Sequence, residues 1–161
     1  MNNIIRVGMA DLKASKHPCM ITTLGLGSCI GIALYDSALK ISGLAHIMLP
    51  YSNFIKNNSN IAKFADTGIK KLFSDMVNMG SKKRNLTARI AGGAQMFKFS
   101  QMSEIMKVGL RNAEASRKIL EELEIPLLAE DVGGSYGRTV ELYSSDGKFV
   151  IKTIGHGIKD I

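Results

Sequence analysis

Residues 17–35 read HPCMITTLGLGSCIGIALY and contain no Lys, Arg, Asp or Glu. An apolar run of this length reaches the nominal span of a membrane helix. However, Pro18 and the glycines at 25, 27 and 31 interrupt it, and both residue types disfavour a helix interior. The run is instead typical of two buried β-strands, near 20–24 and 29–35, joined by a glycine-rich turn. We therefore expect a soluble, strand-rich fold with no membrane insertion.

Further strand and helix patterns flank this segment. Apolar runs predict strands at 4–7, 42–48, 86–90 and 125–129, and a hairpin joining 138–143 to 149–154. One helix is predicted between Asn60, as N-cap, and Gly80, and another over 110–123 with Leu110 on its buried face. Two helices are too few for a doubly wound parallel sheet. The pattern favours one α+β domain over residues 1–161, with mixed, mostly antiparallel sheets and both helices on one side.

The composition excludes several protein classes. The 161 residues are 45% hydrophobic and 22% charged, with only three prolines and two cysteines. These values suit a single buried core and argue against disordered, collagen-like and disulfide-scaffold proteins. Cys19 and Cys29 allow at most one bridge, and residues 1–11 lack a secretory signal pattern. We therefore expect a reducing, cytoplasmic location.

The net charge of +7 is concentrated in the middle of the chain. Residues 56–111 hold 11 Lys and Arg against three Asp and Glu, and they include the basic run Lys82-Lys83-Arg84. This segment is either a solvated face with a basic loop or a docking surface for an acidic partner. Nucleic acid is not the expected partner, because few aromatic residues lie near these charges and no binding motif is present.

The glycine-rich turn does not match a phosphate-binding motif. Its spacing, Gly25-x-Gly27-x-x-x-Gly31, is one residue too long for a dinucleotide fingerprint, and a strand rather than a helix follows it. It also lacks the Lys-Ser/Thr ending of a phosphate-binding loop. The turn is better suited to presenting Cys29 at the edge of a cleft.

Cys29 and His46 are candidates for a thiol nucleophile and its base. His46 stands in an otherwise apolar run, where a buried imidazole is costly unless it is hydrogen-bonded. Two strands joined by a short turn bring positions 29 and 46 towards each other, and a Cys–His pair is the minimal activated nucleophile. Structural roles in the core remain open for both residues. Cys19 is expected in the core and His156 at the surface, and no short ligand spacing supports a metal site.

Five short blocks of the chain carry a family resemblance. They are Thr23-Leu-Gly-Leu-Gly-Ser-Cys29, Ala45-His46-Ile-Met-Leu-Pro50, Gly92-Gly93-Ala94, Gly109-Leu-Arg-Asn112 and Asp131-Val-Gly-Gly-Ser-Tyr-Gly-Arg138. Together, in this order, they resemble the CheD family, the chemoreceptor glutamine deamidases of bacterial and archaeal chemotaxis. The resemblance implies a three-layered α/β/β sandwich and a catalytic triad at Cys29, His46 and Thr23.

The resemblance also implies substrate and partners. The substrates would be glutamine side chains on the cytoplasmic helices of methyl-accepting chemoreceptors, with methyl-ester hydrolysis as a second activity and the phosphatase CheC as a regulatory partner. No cofactor or metal is implied. For the oxyanion formed by thiol attack, backbone amides in the turn at Gly27, Ser28 and Cys29 are the candidate donors. The alternatives are a non-catalytic module that binds receptors or CheC, and a basic nucleic-acid-binding domain.

Overall fold

The computed structural model describes residues 3–95 and 107–161. In this part of the chain lie ten strands and two α-helices: β1 (Asn3–Val7), β2 (Asp11–Lys16), β3 (Cys19–Leu26), β4 (Ile30–Asp36), β5 (Ile41–Ile47), α1 (Ala65–Asn78), β6 (Leu86–Gly92), α2 (Val108–Glu122), β7 (Leu127–Val132), β8 (Arg138–Tyr143), β9 (Phe149–Thr153) and β10 (Gly157–Asp160). Short 3₁₀ turns lie at Ser52–Phe54, Ile61–Lys63 and Lys83–Asn85. Neither helix is long and apolar enough to cross a membrane.

The strands form two five-stranded mixed sheets. The outer sheet has the order β1-β3-β8-β9-β10, and the central sheet has the order β2-β5-β4-β6-β7. Most neighbouring strands are antiparallel, whereas β1 with β3 and β6 with β7 are parallel. The predicted α+β fold, with two main helices and mixed, largely antiparallel sheets, is confirmed.

The central sheet is covered on both faces, which explains why its strands are apolar without alternation. All seven residues of β4 are buried. Alternate side chains of a strand point to opposite faces, so Ile32 packs in a cluster with the helices, whereas Ala33 packs in a cluster with Val140 of the outer sheet. The helices, central sheet and outer sheet therefore form three layers, and a second core lies between the two sheets.

Some expected elements have different bounds, and two strands were not predicted. Asn60 caps the short 3₁₀ turn at Ile61–Lys63, and α1 begins only at Ala65. Strands β2 and β10 were missed because they are edge or near-edge strands with many polar residues and little buried surface. The placement of Leu110 on the buried face of α2 was wrong, since its side chain is 46% exposed.

The buried face of α2 is composed mainly of small residues. Gly109, Asn112, Ala113, Ala115 and Ser116 are buried. Small side chains let a helix backbone approach its neighbours closely, and this packing outweighs the hydrophobicity of Leu110. Hydrophobicity alone therefore assigns the wrong face to the first turn of the helix.

Candidate active site

His46 lies on β5 between the two sheets, and its side chain is fully buried. Its Nδ1 atom is 2.7 Å from the Oγ1 atom of Thr23, which lies on β3 of the outer sheet. The same hydroxyl donates to the backbone carbonyl of Val7 at 2.7 Å. The structure thus brings His46 and Thr23 together through a hydrogen bond between the sheets.

This hydrogen-bond chain selects one tautomer of His46. A threonine hydroxyl has a single proton, and Val7 O is only an acceptor. When the Thr23 proton goes to Val7 O, the bond to His46 requires that Nδ1 carry a proton and Thr23 Oγ1 accept it. The Nε2 atom is then the unprotonated nitrogen, and it has no hydrogen-bond partner among the described residues. The buried atom left unpaired is therefore the one that can act as a base.

Cys29 lies in the turn just before β4, on the same side of the central sheet as His46. His46 pairs across the ladder with Gly31, which has no side chain to separate the two groups. Side chains two residues apart share a face, and Cys29 belongs to the buried cluster between the sheets. A diagonal cross-strand pair of this kind has Cβ atoms about 7 Å apart. The thiol and the imidazole are thus on the same face of the central sheet, on neighbouring strands.

Both members of the Cys–His pair are neutral in the resting structure. Burial lowers the pKa of His46 to about 4, so the imidazole is unprotonated at neutral pH. Burial also raises the pKa of the Cys29 thiol, and a hydrogen bond from the Cys29 backbone amide opposes that rise. An unprotonated His46 is competent to accept a proton, and the thiol retains its proton until a reaction removes it.

Three hydrogen bonds hold the carbonyl groups of the cysteine turn. The Ala94 amide donates to Gly27 O at 2.8 Å, the Gly93 amide donates to Cys29 O at 2.9 Å, and Asn112 Nδ2 donates to Ser28 O at 2.9 Å. Each carbonyl from 27 to 29 is thereby fixed on the side of β6 and α2.

Gly92 is required for this close packing. Its φ of +118° is a conformation that side chains disfavour, and an added Cβ would collide with the carbonyl oxygen of Cys29. Any larger residue at this position would push the end of β6 away from the cysteine turn. The Gly92-Gly93 sequence therefore supports the site through the backbone.

The expected oxyanion donors differ in availability. The Gly27 amide already donates to Gly25 O at 3.0 Å, so it would have to leave that bond to serve a substrate. No described residue accepts a hydrogen bond from the Ser28 amide. Ser28 and Cys29 therefore offer better-placed backbone donors than Gly27, and the roles assigned to Gly27 and Ser28 stay predictions.

The other Cys and His side chains make separate contacts, and His17 Nδ1 lies 2.8 Å from Ser144 Oγ. Cys19 is buried at the opposite end of β3, and both cysteines are free thiols. His156 stacks on Tyr136 with 4.0 Å between ring centroids. Among the described residues, no three His, Cys, Asp or Glu side chains are grouped so that they could hold a metal ion.

An open cavity of about 320 Å³ borders the site on the outer-sheet side. Thr23 and Val7 line it, and so do Met9 and Leu24. Met9 and Leu24 are exposed although both are large and apolar. The hydrogen-bond chain that holds His46 thus lies beside a surface with an apolar rim.

Asn112 is the neighbour of this site that residue-type reasoning overlooked. It belongs to one of the five resemblance blocks, but nothing in its identity indicated a contact with the cysteine turn. The available signal was a buried polar side chain among the small residues of the α2 face. Such a residue usually has hydrogen-bond partners in the core.

Comparisons with known proteins agree on one family. A family model described as CheD chemotactic sensory transduction matches residues 48–153. The chain is 55% identical over 160 residues to a probable chemoreceptor glutamine deamidase CheD of Caldanaerobacter subterraneus subsp. tengcongensis, covering 99% of both chains. It is 52% identical to the protein of that name in Lachnoclostridium phytofermentans, and 49% identical to a chemoreceptor glutamine deamidase CheD of Halalkalibacterium halodurans, each covering 100% of both chains. These relatives also span the segment with Thr23, Cys29 and His46, which precedes the match to the family model.

Proposed function

The chain belongs to the CheD family, and we propose that it deamidates receptor glutamines with Cys29 as nucleophile, His46 as base and Thr23 as the group that orients His46. It is a chemoreceptor glutamine deamidase of chemotaxis, an amidohydrolase that acts on protein glutamine. The observation that supports the residue assignment is the buried chain from Val7 O through Thr23 to His46, which leaves Nε2 without a partner among the described residues, while Cys29 lies on the same face of the central sheet.

The first half of the reaction forms a thioester and releases ammonia. His46 Nε2 takes the proton from Cys29 Sγ while Sγ attacks the carboxamide carbon of the receptor glutamine. The carbonyl oxygen becomes an oxyanion, which backbone amides of the turn stabilise. The C–N bond then breaks, and the protonated His46 gives its proton to the departing nitrogen. The products of this half are ammonia and an acyl group on Sγ.

The second half hydrolyses the thioester. His46 Nε2 removes a proton from a water molecule, whose oxygen attacks the thioester carbon. The C–S bond breaks, Sγ recovers a proton, and the receptor side chain leaves as glutamate. One water molecule is consumed for each ammonia released, and Cys29 and His46 return to their neutral states.

The low pKa of His46 determines when the proton moves. Because a buried imidazolium is unfavourable before substrate binds, a thiolate–imidazolium pair is not the resting state. Proton transfer therefore accompanies attack on the bound glutamine. Thr23 supports this transfer, since its hydroxyl holds the tautomer in which Nε2 accepts the proton.

The basic run at 82–84 is proposed to attract acidic receptor helices. It lies where Leu86 pairs with Asp36, at the opposite end of β4 from Cys29. Seven residue steps separate Cys29 from Asp36, which corresponds to about 23 Å along a strand. This distance exceeds the screening length of about 8 Å at physiological ionic strength. Its field therefore acts on the encounter with a receptor rather than on the chemistry at Cys29.

Four further features rest on family membership. We propose that the substrate glutamines lie on the cytoplasmic helices of methyl-accepting receptors, and that the protein acts in the cytoplasm. Methyl-ester hydrolysis needs the same thioester and differs only in its leaving group, so methanol release from methylated receptor would test it. Association with the phosphatase CheC is measurable by co-purification of the two proteins.

The test of the proposed function is ammonia release from a purified chemoreceptor cytoplasmic domain. Wild-type protein should release ammonia, Cys29→Ala should release none, and Cys19→Ala should retain activity because Cys19 lies at the far end of β3. Receptor binding without ammonia release by wild-type protein would contradict the deamidase and support a binding module. Activity that persists in Cys29→Ala would contradict the assigned nucleophile.

A further inference from the structure

Asn112 connects the nucleophile segment to the base segment. This residue of α2 is fully buried, and its Nδ2 atom donates to Ser28 O and to Met48 O, each at 2.9 Å. Ser28 directly precedes Cys29 in the turn, and Met48 is two residues after His46. One side-chain amide therefore ties together the two chain segments that carry the proposed nucleophile and base.

The orientation of the Asn112 amide is set by its partners. Both neighbours are carbonyl oxygens, which only accept hydrogen bonds, so the NH₂ group must face them. The Oδ1 atom is buried and has no hydrogen-bond partner among the described residues. An unpaired buried oxygen lowers stability, so a gain in folding stability alone is a poor explanation for an asparagine here.

Holding the Ser28 carbonyl also fixes the direction of the next amide. The peptide bond between Ser28 and Cys29 is trans, since the cis peptide among the described residues is at His17-Pro18. In a trans peptide the C=O and the following N–H point in opposite directions. Because Asn112 holds Ser28 O towards α2, the Cys29 amide points away from α2. Ala94 holds Gly27 O in the same way, so the Ser28 amide points away from Ala94.

A separate observation places the Cys29 amide on the side of the thiol. Cys29 packs in the buried cluster between the two sheets, whereas α2 packs in the cluster on the other face of the central sheet. An amide that points away from α2 is therefore on the side of the thiol. A carbonyl carbon bonded to Sγ would carry its oxygen into the same region. The amide is therefore directed to where negative charge develops during attack.

The start of α2 is packed closely enough to make this contact. A Cβ on Gly109 would lie 2.5 Å from Ala94 O, so only glycine allows the helix to sit against the backbone of residues 93 and 94. Asn112 is three residues further along and shares that face of the helix. The approach at Gly109 thus brings the Asn112 amide within reach of Ser28 O.

We propose that Asn112 is a positioning residue for deamidation, which aims the Ser28 and Cys29 amides at the carbonyl oxygen of the substrate glutamine. This proposal rests on the proposed function, because it assumes an oxyanion at that position. Asn112 acts through the backbone of the turn and does not itself touch the substrate.

The test distinguishes an effect of Asn112 on the transition state of deamidation from an effect on the stability of the fold. Asn112→Ala is compared with Ser116→Ala, which removes another fully buried group of α2, a hydroxyl that donates to Asn112 O at 2.7 Å. Ammonia release gives kcat and KM, and iodoacetamide measures the reactivity of Cys29 in a reaction that forms no oxyanion. For Asn112→Ala we expect kcat to fall about 100-fold, the typical loss for one oxyanion donor. KM and the alkylation rate should change no more than about threefold, a small effect beside that loss.

Several results would overturn the proposal. An alkylation rate that falls in parallel with kcat would make Asn112 a general support of the cysteine segment. An equal loss of kcat in Ser116→Ala would point to the stability of α2. If Asn112→Ala does not fold, Asn112→Ser replaces it, and failure of both to fold would show a purely structural role. If the wild-type protein releases no ammonia, the proposed function itself is contradicted. The comparison of wild type with Cys29→Ala tests that function separately.

Discussion

Replacing Thr23 by valine removes one hydroxyl and almost no volume. The Thr23 side chain is 1% exposed, and its Oγ1 makes two hydrogen bonds of 2.7 Å, to His46 and to Val7. In Thr23→Val the Nδ1 atom and the carbonyl of Val7 lose this partner in the core. An unsatisfied buried group costs about 1–3 kcal/mol, so we expect the free energy of unfolding to fall by about 2 kcal/mol.

The same change should lower the catalytic rate. Without Thr23 Oγ1, nothing holds the proton on Nδ1, and the imidazole divides between two tautomers and more than one orientation. A hydrogen bond worth about 1.4–2 kcal/mol in the transition state corresponds to about a 10- to 30-fold lower kcat. Ammonia release from a receptor cytoplasmic domain measures this loss. Thr23→Ser keeps the hydroxyl and should recover most of the rate.

Thr22→Val is the matched control for this experiment. Thr22 is the adjacent residue, it is also buried, and its hydroxyl donates to Val140 O at 2.8 Å without contacting the imidazole. We expect a similar loss of stability with kcat nearly unchanged. Nitrogen NMR of the wild-type imidazole should find the proton on Nδ1. A proton on Nε2, or an equal loss of kcat in Thr22→Val, would refute the orienting role.

Three further predictions concern charge. Burial lowers the pKa of His46 from 6.5 to about 4, so kcat/KM should stay level from neutral pH to about 5 and fall as the pH passes through about 4. A fall centred near pH 6.5 would contradict a neutral His46 in the resting enzyme. Between pH 6.5 and 4, His46 binds a proton in the unfolded chain but not in the folded protein. The free energy of unfolding should therefore decrease by up to about 3 kcal/mol as the pH falls through this range. Denaturant titrations measure this decrease, and His46→Gln should lack it. Replacing the basic run at 82–84 by serines should slow receptor association several-fold at low salt without changing kcat, as measured by stopped flow. An unchanged association rate would exclude steering by this run.

The sequence predicted the parts of the fold that depend on burial within one element. The apolar runs around residues 20–24, 29–35 and 42–48 correspond to β3, β4 and β5. Strands β4 and β5 are buried on both faces, which explains their unbroken runs, whereas β3 exposes Leu24 and Gly25. The edge strand β10 was not predicted, since all four of its residues are exposed and it owes its conformation to pairing with β9. Its pattern carries little information about burial.

The sequence likewise predicted only those parts of the candidate site that depend on neighbouring elements of the chain. The short connection between β4 and β5 places positions 29 and 46 near each other, and this follows from chain order and turn length alone. The contact between Thr23 and His46 joins two different sheets, and its residues were indicated by family resemblance rather than by any local pattern. The contact of Asn112 with Ser28 spans 84 residues of chain, and no periodicity reports on it.

By itself the sequence predicted an α+β fold with two main helices, a cysteine in a glycine-rich turn and a histidine on the neighbouring strand. Hydrophobic periodicity and glycine placement are local properties, so they can be read before the chain is folded. Only the tertiary structure decided that burial lowers the pKa of His46 and that Nε2 has no hydrogen-bond partner in the part of the chain that the structure describes. It also decided that the carbonyls beside Cys29 are held by α2 and the end of β6. These properties depend on burial and hydrogen bonds between elements distant in the chain, which exist only once the two sheets and the helices have packed together.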